Sequence, residues 1–186
     1  MRLSAGEIEQ LGERGWFVRD GFLSDAESRA ARDEITALEL RPAGMVRGHH
    51  DTAERGDHIT WLDIATAPPA LQTVCERLDD LRRALAREAW LPTLHAEIQA
   101  AHYPGGGARY VRHRDALAQG NQRRITIIVY LNPDWEPADG GQLRLGDGTC
   151  VEPIAGRLIV FLSERVEHEV LPANAPRFAV TAWCYP

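Results

Sequence analysis

The chain has 186 residues and 44% hydrophobic content, which favours one folded domain with a single substantial core. Its formal net charge of -6 and the lack of a dense basic run exclude the electrostatic pattern of a nucleic-acid binder. All 21 basic residues are arginine, which excludes a lysine Schiff base and a Walker lysine, and no apolar stretch is long enough to span a membrane.

Two helices near the N-terminus are predicted by paired capping residues. Ser4 with Glu7, and Ser24 with Glu27, have the spacing at which a serine and a glutamate cap the same first turn. Between them, residues 15–22 are typical of a short strand.

Residues 41–56 contain proline and glycine and show little periodicity, so we interpret them as a mobile surface loop. The cluster of His49, His50 and Asp51 has the side chains of a metal site. A solvated loop is nevertheless the preferred interpretation.

The longest helix is predicted to start near Pro68 and Pro69, because proline is favoured in a first turn. Apolar residues then recur at helical spacing, at Leu71, Val74, Cys75, Leu78, Leu81 and Leu85. The pattern indicates an amphipathic helix that lies on a sheet, and Cys75 is expected to serve packing rather than reactivity.

From residue 95 onward, short β-type segments alternate with turn-forming residues. The predicted strands are residues 95–103, 109–113, 124–132, 141–145, 157–162, 167–172 and 177–185. The glycine run 105–107 lacks a following lysine, so it is interpreted as a hairpin loop and not as a phosphate-binding loop. Helices followed by strands predict an α+β, mainly β fold, a jelly-roll with helices against one face.

A metal site is indicated by two histidines and one aspartate. His113 and Asp115 follow a predicted strand, where a period of two places them on the same side of the chain. His168 lies in another predicted strand, which a barrel could bring opposite the first pair. Such a set leaves three adjacent coordination positions open and is typical of non-haem iron(II) oxygenases. The competing interpretation is a chance match of histidines that are hydrogen-bonded at strand ends.

Arg177 strengthens the oxygenase interpretation. It lies nine residues after His168 in a strongly β-prone segment, where a guanidinium needs a partner. A carboxylate held through two hydrogen bonds is the natural partner, and the distal carboxylate of 2-oxoglutarate fits. The alternative is an ordinary edge-strand arginine paired with a nearby Asp or Glu.

Nine stretches distributed over nearly the whole chain resemble the prolyl hydroxylase family of 2-oxoglutarate- and Fe(II)-dependent dioxygenases. They are residues 18–23, 55–61, 78–81, 103–105, 107–115, 129–135, 140–144, 168–170 and 177–183. They occur in the order that the family shows, and they are particularly similar to the oxygen-sensing animal prolyl hydroxylase domains and their bacterial relatives.

The resemblance implies a double-stranded β-helix over residues 1–186, with N-terminal helices, first strands and a substrate loop in 1–94 and the jelly-roll core in 95–186. It implies Fe(II) bound by His113, Asp115 and His168, with 2-oxoglutarate on Arg177 and O2 as co-substrate. It also suggests ascorbate as a further cofactor.

The resemblance further implies that Tyr130 hydrogen-bonds the co-substrate carboxylate, and that four other residues line the pocket. These are Tyr103, Thr181 and Trp183, assigned to the co-substrate side, and Tyr110, assigned to the substrate side. For Tyr130 and Trp183 the competing interpretation is plain barrel core, and for Tyr103 it is exposure beside a turn.

The implied reaction is hydroxylation of a prolyl residue in a protein, with release of succinate and CO2. Arg55 and Asp57 match the family's substrate-covering loop, so residues 41–61 are expected to close over a peptide. The alternative is that both charges cap the start of the strand at residues 59–61. Animal relatives continue into a C-terminal helix after the strand of Arg177, whereas this sequence ends at Pro186, which puts recognition by a C-terminal element in doubt.

Two other functions stay open at this point: hydroxylation of free proline, another amino acid or a small metabolite, and a non-catalytic cupin-like module that binds metal or senses oxygen. The resemblance to bacterial relatives suggests a translation factor as the target. Three cysteines without CxxC pairing suit a reducing compartment, so a cytoplasmic location is expected, with no membrane or nucleic-acid partner.

Overall fold

The computed structural model of the protein describes residues 1–44, 54–116 and 122–186. Two antiparallel sheets pack face to face, and helices cover the outer face of the larger sheet. This is the jelly-roll, or double-stranded β-helix, that the sequence predicts. The cluster of His49, His50 and Asp51 lies outside the described residues.

The helices begin where the capping residues predict. In both predicted capping boxes the serine side chain accepts a hydrogen bond from the glutamate N–H, and the glutamate side chain accepts one from the serine N–H. Among the described residues, no helix combines the length and the apolar content needed to cross a membrane. The helices are α1 (Ala5–Glu13), α2 (Asp25–Ala37) and α3 (Pro69–Glu88).

The start of α3 is capped by α2, a contact that the sequence did not reveal. Both carboxylate oxygens of Glu34 accept hydrogen bonds, from Ala70 N at 3.0 Å and from Leu71 N at 2.8 Å. Free N–H groups at a helix start favour a negative charge, so the two helices are fixed relative to each other. Cys75 is buried on the apolar side of α3, as expected.

The larger sheet has seven strands in the order β1-β9-β6-β11-β4-β3-β2, and the smaller has four in the order β5-β10-β7-β8. The strands of the larger sheet are β1 (Trp16–Arg19), β2 (Arg41–Pro42), β3 (His58–Leu62), β4 (His95–Tyr103), β6 (Ile125–Tyr130), β9 (Leu158–Leu162) and β11 (Arg177–Tyr185). Those of the smaller are β5 (Ala108–His113), β7 (Leu143–Leu145), β8 (Cys150–Val151) and β10 (His168–Ala173).

Alternation along the central strands divides the interior into two cores. On β6, Ile127 and Val129 pack with the helices, whereas Ile128 and Tyr130 point into the space between the sheets. All residues of β6 are buried, because this strand is covered on both faces. The polar residues of the inter-sheet space are therefore surrounded by apolar walls.

The hairpin interpretation of the glycine run was wrong. Residues 104–107 connect β4 of the larger sheet to β5 of the smaller one, so the chain changes sheets there. Gly105 has φ +90°, and a Cβ at this position would lie 2.9 Å from the carbonyl oxygen of Asn174. The close approach to a neighbouring turn explains the glycine.

Two short strands were also missed. β2 falls within the segment interpreted as a loop, where it pairs with β3 through Arg41 and Pro42, and β8 pairs with β7 through Cys150 and Val151. Each has only two residues, too few to produce an alternating pattern.

Replacing Leu81 by alanine tests the packing of α3. Leu81 is 0% exposed, so Leu81→Ala is expected to lower the free energy of unfolding by about 2–5 kcal/mol in urea titrations. The control Leu94→Ala changes a side chain that is 78% exposed, and a shift within about 0.5 kcal/mol is expected. Equal effects of the two substitutions would contradict this description of the core.

Candidate metal centre and co-substrate pocket

The three predicted metal ligands converge. His113 ends β5 and His168 begins β10, and the two are partners in the antiparallel register of these strands. Asp115 lies two residues beyond β5, in a bend, so its position follows from that turn and not from strand alternation. One ligand atom from each residue lies within 4.8 Å of the others. His113 Nε2 is 3.6 Å from Asp115 Oδ1, and His168 Nε2 is 3.8 Å from Asp115 Oδ2.

Both imidazoles are oriented by backbone carbonyl groups two residues earlier in the chain. His113 Nδ1 lies 2.8 Å from the carbonyl oxygen of Val111, and His168 Nδ1 lies 3.2 Å from that of Val166. A carbonyl only accepts, so each Nδ1 carries the proton and each Nε2 presents its lone pair to the site. Imidazoles held in this orientation are prepared to bind a metal through Nε2.

The electrostatics of the buried site favour the metal-binding protonation states. Burial lowers the pKa of His168 to about 4, although the Asp115 carboxylate favours the charged ring. Burial alone would raise the pKa of Asp115, but His168, His113 and a hydrogen bond from Thr126 outweigh it and hold the pKa below its ordinary value. The carboxylate is therefore ionised and His168 neutral near pH 7, the forms that ligate metals.

Arg177 is not an edge-strand arginine. It begins β11, the central strand of the larger sheet, and its side chain is buried. Its Nε donates to the carbonyl oxygen of Gly141 at 2.7 Å, and its guanidinium lies 4.9 Å from the Tyr103 ring and 5.1 Å from the Tyr130 ring. Among the described residues no carboxylate forms an ion pair with it, so in this part of the chain the buried cation lacks a counter-charge, and a bound anion would supply one.

Tyr130 supplies a second group that lacks a partner. Its side chain is fully buried, burial raises the pKa of its hydroxyl to about 12, and that hydroxyl has no hydrogen-bond partner in the described part of the chain. A carboxylate between Arg177 and Tyr130 would satisfy both groups. Tyr130 is thus buried in the barrel, as the competing interpretation held, and its orphan hydroxyl also fits the role implied by the resemblance.

A cleft between the sheets joins the metal ligands to Arg177. It encloses about 480 Å³ of empty space, including its open mouth, and apolar side chains from both sheets form much of its wall. The lining includes Arg55, Asp57, Tyr103, Tyr110, His113, Asp115, His168, Arg177, Thr181 and Trp183. Every predicted site residue except Tyr130 therefore faces one cleft, and Tyr103, which is 4% exposed, is not the exposed turn residue of the alternative interpretation.

Arg55 and Asp57, which both line the cleft, pair with each other. Arg55 Nε and one terminal nitrogen reach the two Asp57 oxygens at 2.8 Å and 3.1 Å. The Arg55 guanidinium also lies 4.5 Å from the Tyr110 ring, which stacks on His113 with ring centres 3.8 Å apart. Tyr110 thus connects the Arg55–Asp57 ion pair to His113 through direct contacts.

Sequence reasoning missed three polar residues of the site. Thr126 donates to Asp115 Oδ2 at 2.7 Å and is itself hydrogen-bonded to Ser163, while the buried Gln99 lines the cleft. A signal for Thr126 existed, since it lies on the same face of β6 as Tyr130, four residues earlier. Ser163 and Gln99 carry no comparable local signal.

Two features of the site fit the expected Fe(II) and 2-oxoglutarate: the three metal-ligating side chains and the buried Arg177. Two Nε2 atoms and one carboxylate form the facial set of non-haem iron(II) oxygenases, and the inter-sheet position matches the double-stranded β-helix. Arg177 and Tyr130 fit the distal carboxylate of a 2-oxo diacid. Fold and site together define the class of 2-oxoglutarate- and Fe(II)-dependent oxygenases.

Comparison with known proteins gives the family. The model of the 2OG-Fe(II) oxygenase superfamily matches residues 98–185. A prolyl-4-hydroxylase of Pseudomonas putida is 38% identical, with a TM-score of 0.85 and coverage of 97% of each chain. A prolyl hydroxylase of Trichoplax adhaerens, solved with a peptide fragment of the hypoxia inducible factor oxygen degradation domain, is 29% identical, with a TM-score of 0.85 and coverage of 96% of this chain and 87% of that one.

Egl nine homolog 1 of Mus musculus is 34% identical over 193 residues, which cover 94% of this chain and 48% of the relative. The chain spans about half the length of this protein and of its rat and human counterparts. With these similarities, the chain belongs to the prolyl hydroxylase family of 2-oxoglutarate- and Fe(II)-dependent oxygenases.

Gly141→Ala tests the packing around Arg177. Gly141 has φ +72°, and a Cβ there would lie 2.8 Å from Arg177 Cδ, so the arginine must shift. We expect the KM for 2-oxoglutarate to rise by about tenfold or more, because the shifted guanidinium would lose one charge-assisted hydrogen bond to the co-substrate. Gly148→Ala is the matched control, because Gly148 has φ +90° with nothing within 4 Å of the added Cβ. The interpretation fails if both variants change this KM equally.

Proposed function

We propose that the protein hydroxylates a prolyl residue within a peptide or protein and converts 2-oxoglutarate and O2 to succinate and CO2. The observation that carries the proposal is the single cleft in which the His113, Asp115 and His168 triad faces the buried, unmatched Arg177. The similarity to prolyl hydroxylases over almost the entire chain supports proline as the target.

Different residues of the cleft have different roles in this reaction. Iron bound by His113, Asp115 and His168 supplies the oxidative chemistry that couples decarboxylation of the co-substrate to hydroxylation of a carbon. Arg177 and Tyr130 hold the distal carboxylate, which directs the other end of the diacid toward the metal ligands on the opposite sheet. The apolar walls of the cleft exclude water from the reaction.

The side chains beside His113 support a peptide as the substrate. Arg55, Asp57 and Tyr110 form a connected polar and aromatic part of the cleft wall, which can contact a chain segment bound there. Thr181 and Trp183, which were predicted on the co-substrate side, line the same cleft from β11. The related protein of Trichoplax adhaerens was solved with a peptide, which favours the same mode of access.

The substrate class is tested by turnover. The purified protein with Fe(II) and 2-oxoglutarate is expected to produce succinate when proline-containing peptides are added. The amount of succinate should equal the amount of peptide that gains one oxygen atom on proline. His168→Ala is expected to abolish both products, by at least about 100-fold, because a metal ligand is lost. The control His95→Ala removes an exposed histidine that stacks on Tyr185, and activity within about twofold is expected.

Other outcomes of the same assay identify the competing functions. Turnover of free proline or another small molecule, with none of any peptide, would establish a small-molecule hydroxylase. Absence of the weak visible band of the iron and 2-oxoglutarate complex under argon, together with tight binding of zinc, would instead establish a metal-binding module.

Three finer proposals concern the cellular setting. A cytoplasmic location is supported by three cysteines that form no disulfide, although Cys150 is exposed. Ascorbate as a cofactor is supported by the family resemblance and is tested by its effect on the number of turnovers. A translation factor as substrate is tested by incubating active protein and the His168→Ala variant with cell lysate and searching for proline oxidation that only the active protein produces.

A further inference from the structure

A chain of two hydroxyl groups leads to Asp115, and the proposed reaction uses neither of them. Thr126 Oγ1, on β6, lies 2.7 Å from Asp115 Oδ2 and 2.9 Å from Ser163 Oγ, and Ser163 follows β9 directly. Both hydroxyl-bearing residues are 0% exposed. A buried hydroxyl is costly unless it is hydrogen-bonded, so the two residues and the carboxylate form one buried polar unit.

The hydrogen atoms of this unit can be assigned. An ionised carboxylate only accepts, so Thr126 uses its single hydroxyl hydrogen to donate to Asp115. The contact between Thr126 and Ser163 must then be donated by Ser163. Both hydroxyl groups therefore point their hydrogens toward Asp115, and each bond strengthens the next.

Asp115 needs such an anchor because of its place in the chain. The two imidazoles are oriented by carbonyl groups of Val111 and Val166, two residues earlier in each case. Asp115 lies two residues past the end of β5, so the register of that strand does not set the direction of its side chain. The anchor comes instead from the larger sheet, and so it joins the two sheets at the metal site.

Ser163 also holds the backbone beside the ligand. Its carbonyl oxygen accepts from Ala116 N at 3.3 Å, and its own N–H donates to the carbonyl oxygen of Arg124 at 3.1 Å. One residue after β9 thus restrains the bend that carries Asp115 through both its side chain and its main chain.

We propose that Thr126 and Ser163 are positioning residues that fix the plane of the Asp115 carboxylate toward the two imidazoles before the metal arrives. Neither touches the reacting atoms. Their contribution is to the affinity and the geometry of the metal site, which can be measured without turnover.

The test is Mn(II) binding to the metal-free protein, by calorimetry, and the absorption spectrum of the Co(II) form. Thr126→Val keeps the shape but removes the donor, and a 10- to 100-fold loss of Mn(II) affinity is expected, the range typical for groups that orient a metal ligand. Thr126→Ser restores the hydroxyl and should stay within about threefold of the wild type. Ser163→Ala removes only the distant donor and should cost less than Thr126→Val.

Three results would overturn the proposal: wild-type affinity in Thr126→Val, equal losses in Thr126→Val and Thr126→Ser, or a Co(II) spectrum that no variant changes. If Thr126→Val does not fold cooperatively in urea, Ser163→Ala decides, and an affinity equal to the wild type then counts against the proposal.

A different observation, the unmatched amide of Gln99, carries a second inference, which rests on the proposed function. Gln99 lies on β4, where its register partners are Thr181 of β11 and Trp61 of β3. It is 4% exposed and faces the cleft, and its amide has no hydrogen bond to the rest of the described chain. The buried indole nitrogen of Trp183 also lacks a partner among the described residues.

The position of Gln99 indicates which ligand completes it. Arg177 pairs with Tyr103, whereas Gln99 pairs with Thr181, four residues further along β11, or about 13 Å. The register therefore separates Gln99 along the sheet from Arg177 and Tyr103, which surround the proposed site of the distal carboxylate. The structure assigns the Gln99 amide to the substrate peptide, whose main chain offers both the donors and the acceptors that an amide can match.

Gln99→Met keeps the length of the side chain and removes the amide. We expect the KM for a peptide substrate to rise about tenfold, while the KM for 2-oxoglutarate and the visible band of the iron complex stay unchanged. Gln10→Met, on α1, is the control and should leave all three values unchanged. If the wild type converts peptides and Gln99→Met has the same KM, only this assignment fails. If the wild type converts no peptide, the proposed function fails with it.

Discussion

The pairing of β5 with β10 is the contact on which the site depends. It places His113 beside His168 in register, and the turn after β5 then brings Asp115 to both rings. A slip of one residue would turn one imidazole to the outer face of the small sheet and separate the ligands. Tyr110 stacks on His113 within the same strand, β5, so the residue proposed to meet the substrate lies directly beside the metal site.

The larger sheet contributes the residues of the proposed co-substrate site, which faces the metal ligands. Its central strand carries Arg177, and alternation along that strand places Thr181 and Trp183 in the same cleft. Because β4 and β6 flank β11, Tyr103 and Tyr130 meet the guanidinium from both sides. The three side chains around the proposed anion site therefore come from three adjacent strands of one sheet.

Local patterns in the sequence were sufficient to predict many of the helices and strands. Capping pairs located α1 and α2, and alternation with turn residues located β4 and β11 at their observed bounds. The ligand residues were identified by their chemical type, but strand alternation was the wrong reason for Asp115, which lies in a bend.

The remaining features depend on contacts between residues distant in the chain. Ser163 meets Thr126 across 37 positions, and Glu34 caps α3 across 36. The sheet change at residues 104–107 follows from which strands pair, which no short segment encodes. Pairing of distant strands is decided by the whole fold, so the sequence revealed the ligands of the site more readily than the groups that orient them.

The tautomers of His113 and His168 are set by backbone carbonyl groups, two residues earlier in the chain in each case. These two hydrogen bonds use main-chain acceptors, so a change of side chain in the cleft does not by itself remove them. The walls and the rim can change through evolution, and with them the molecule that is oxidised, while the two imidazoles keep their direction. Such separation of a fixed reactive centre from a variable surround makes this scaffold suitable for acquiring new substrates.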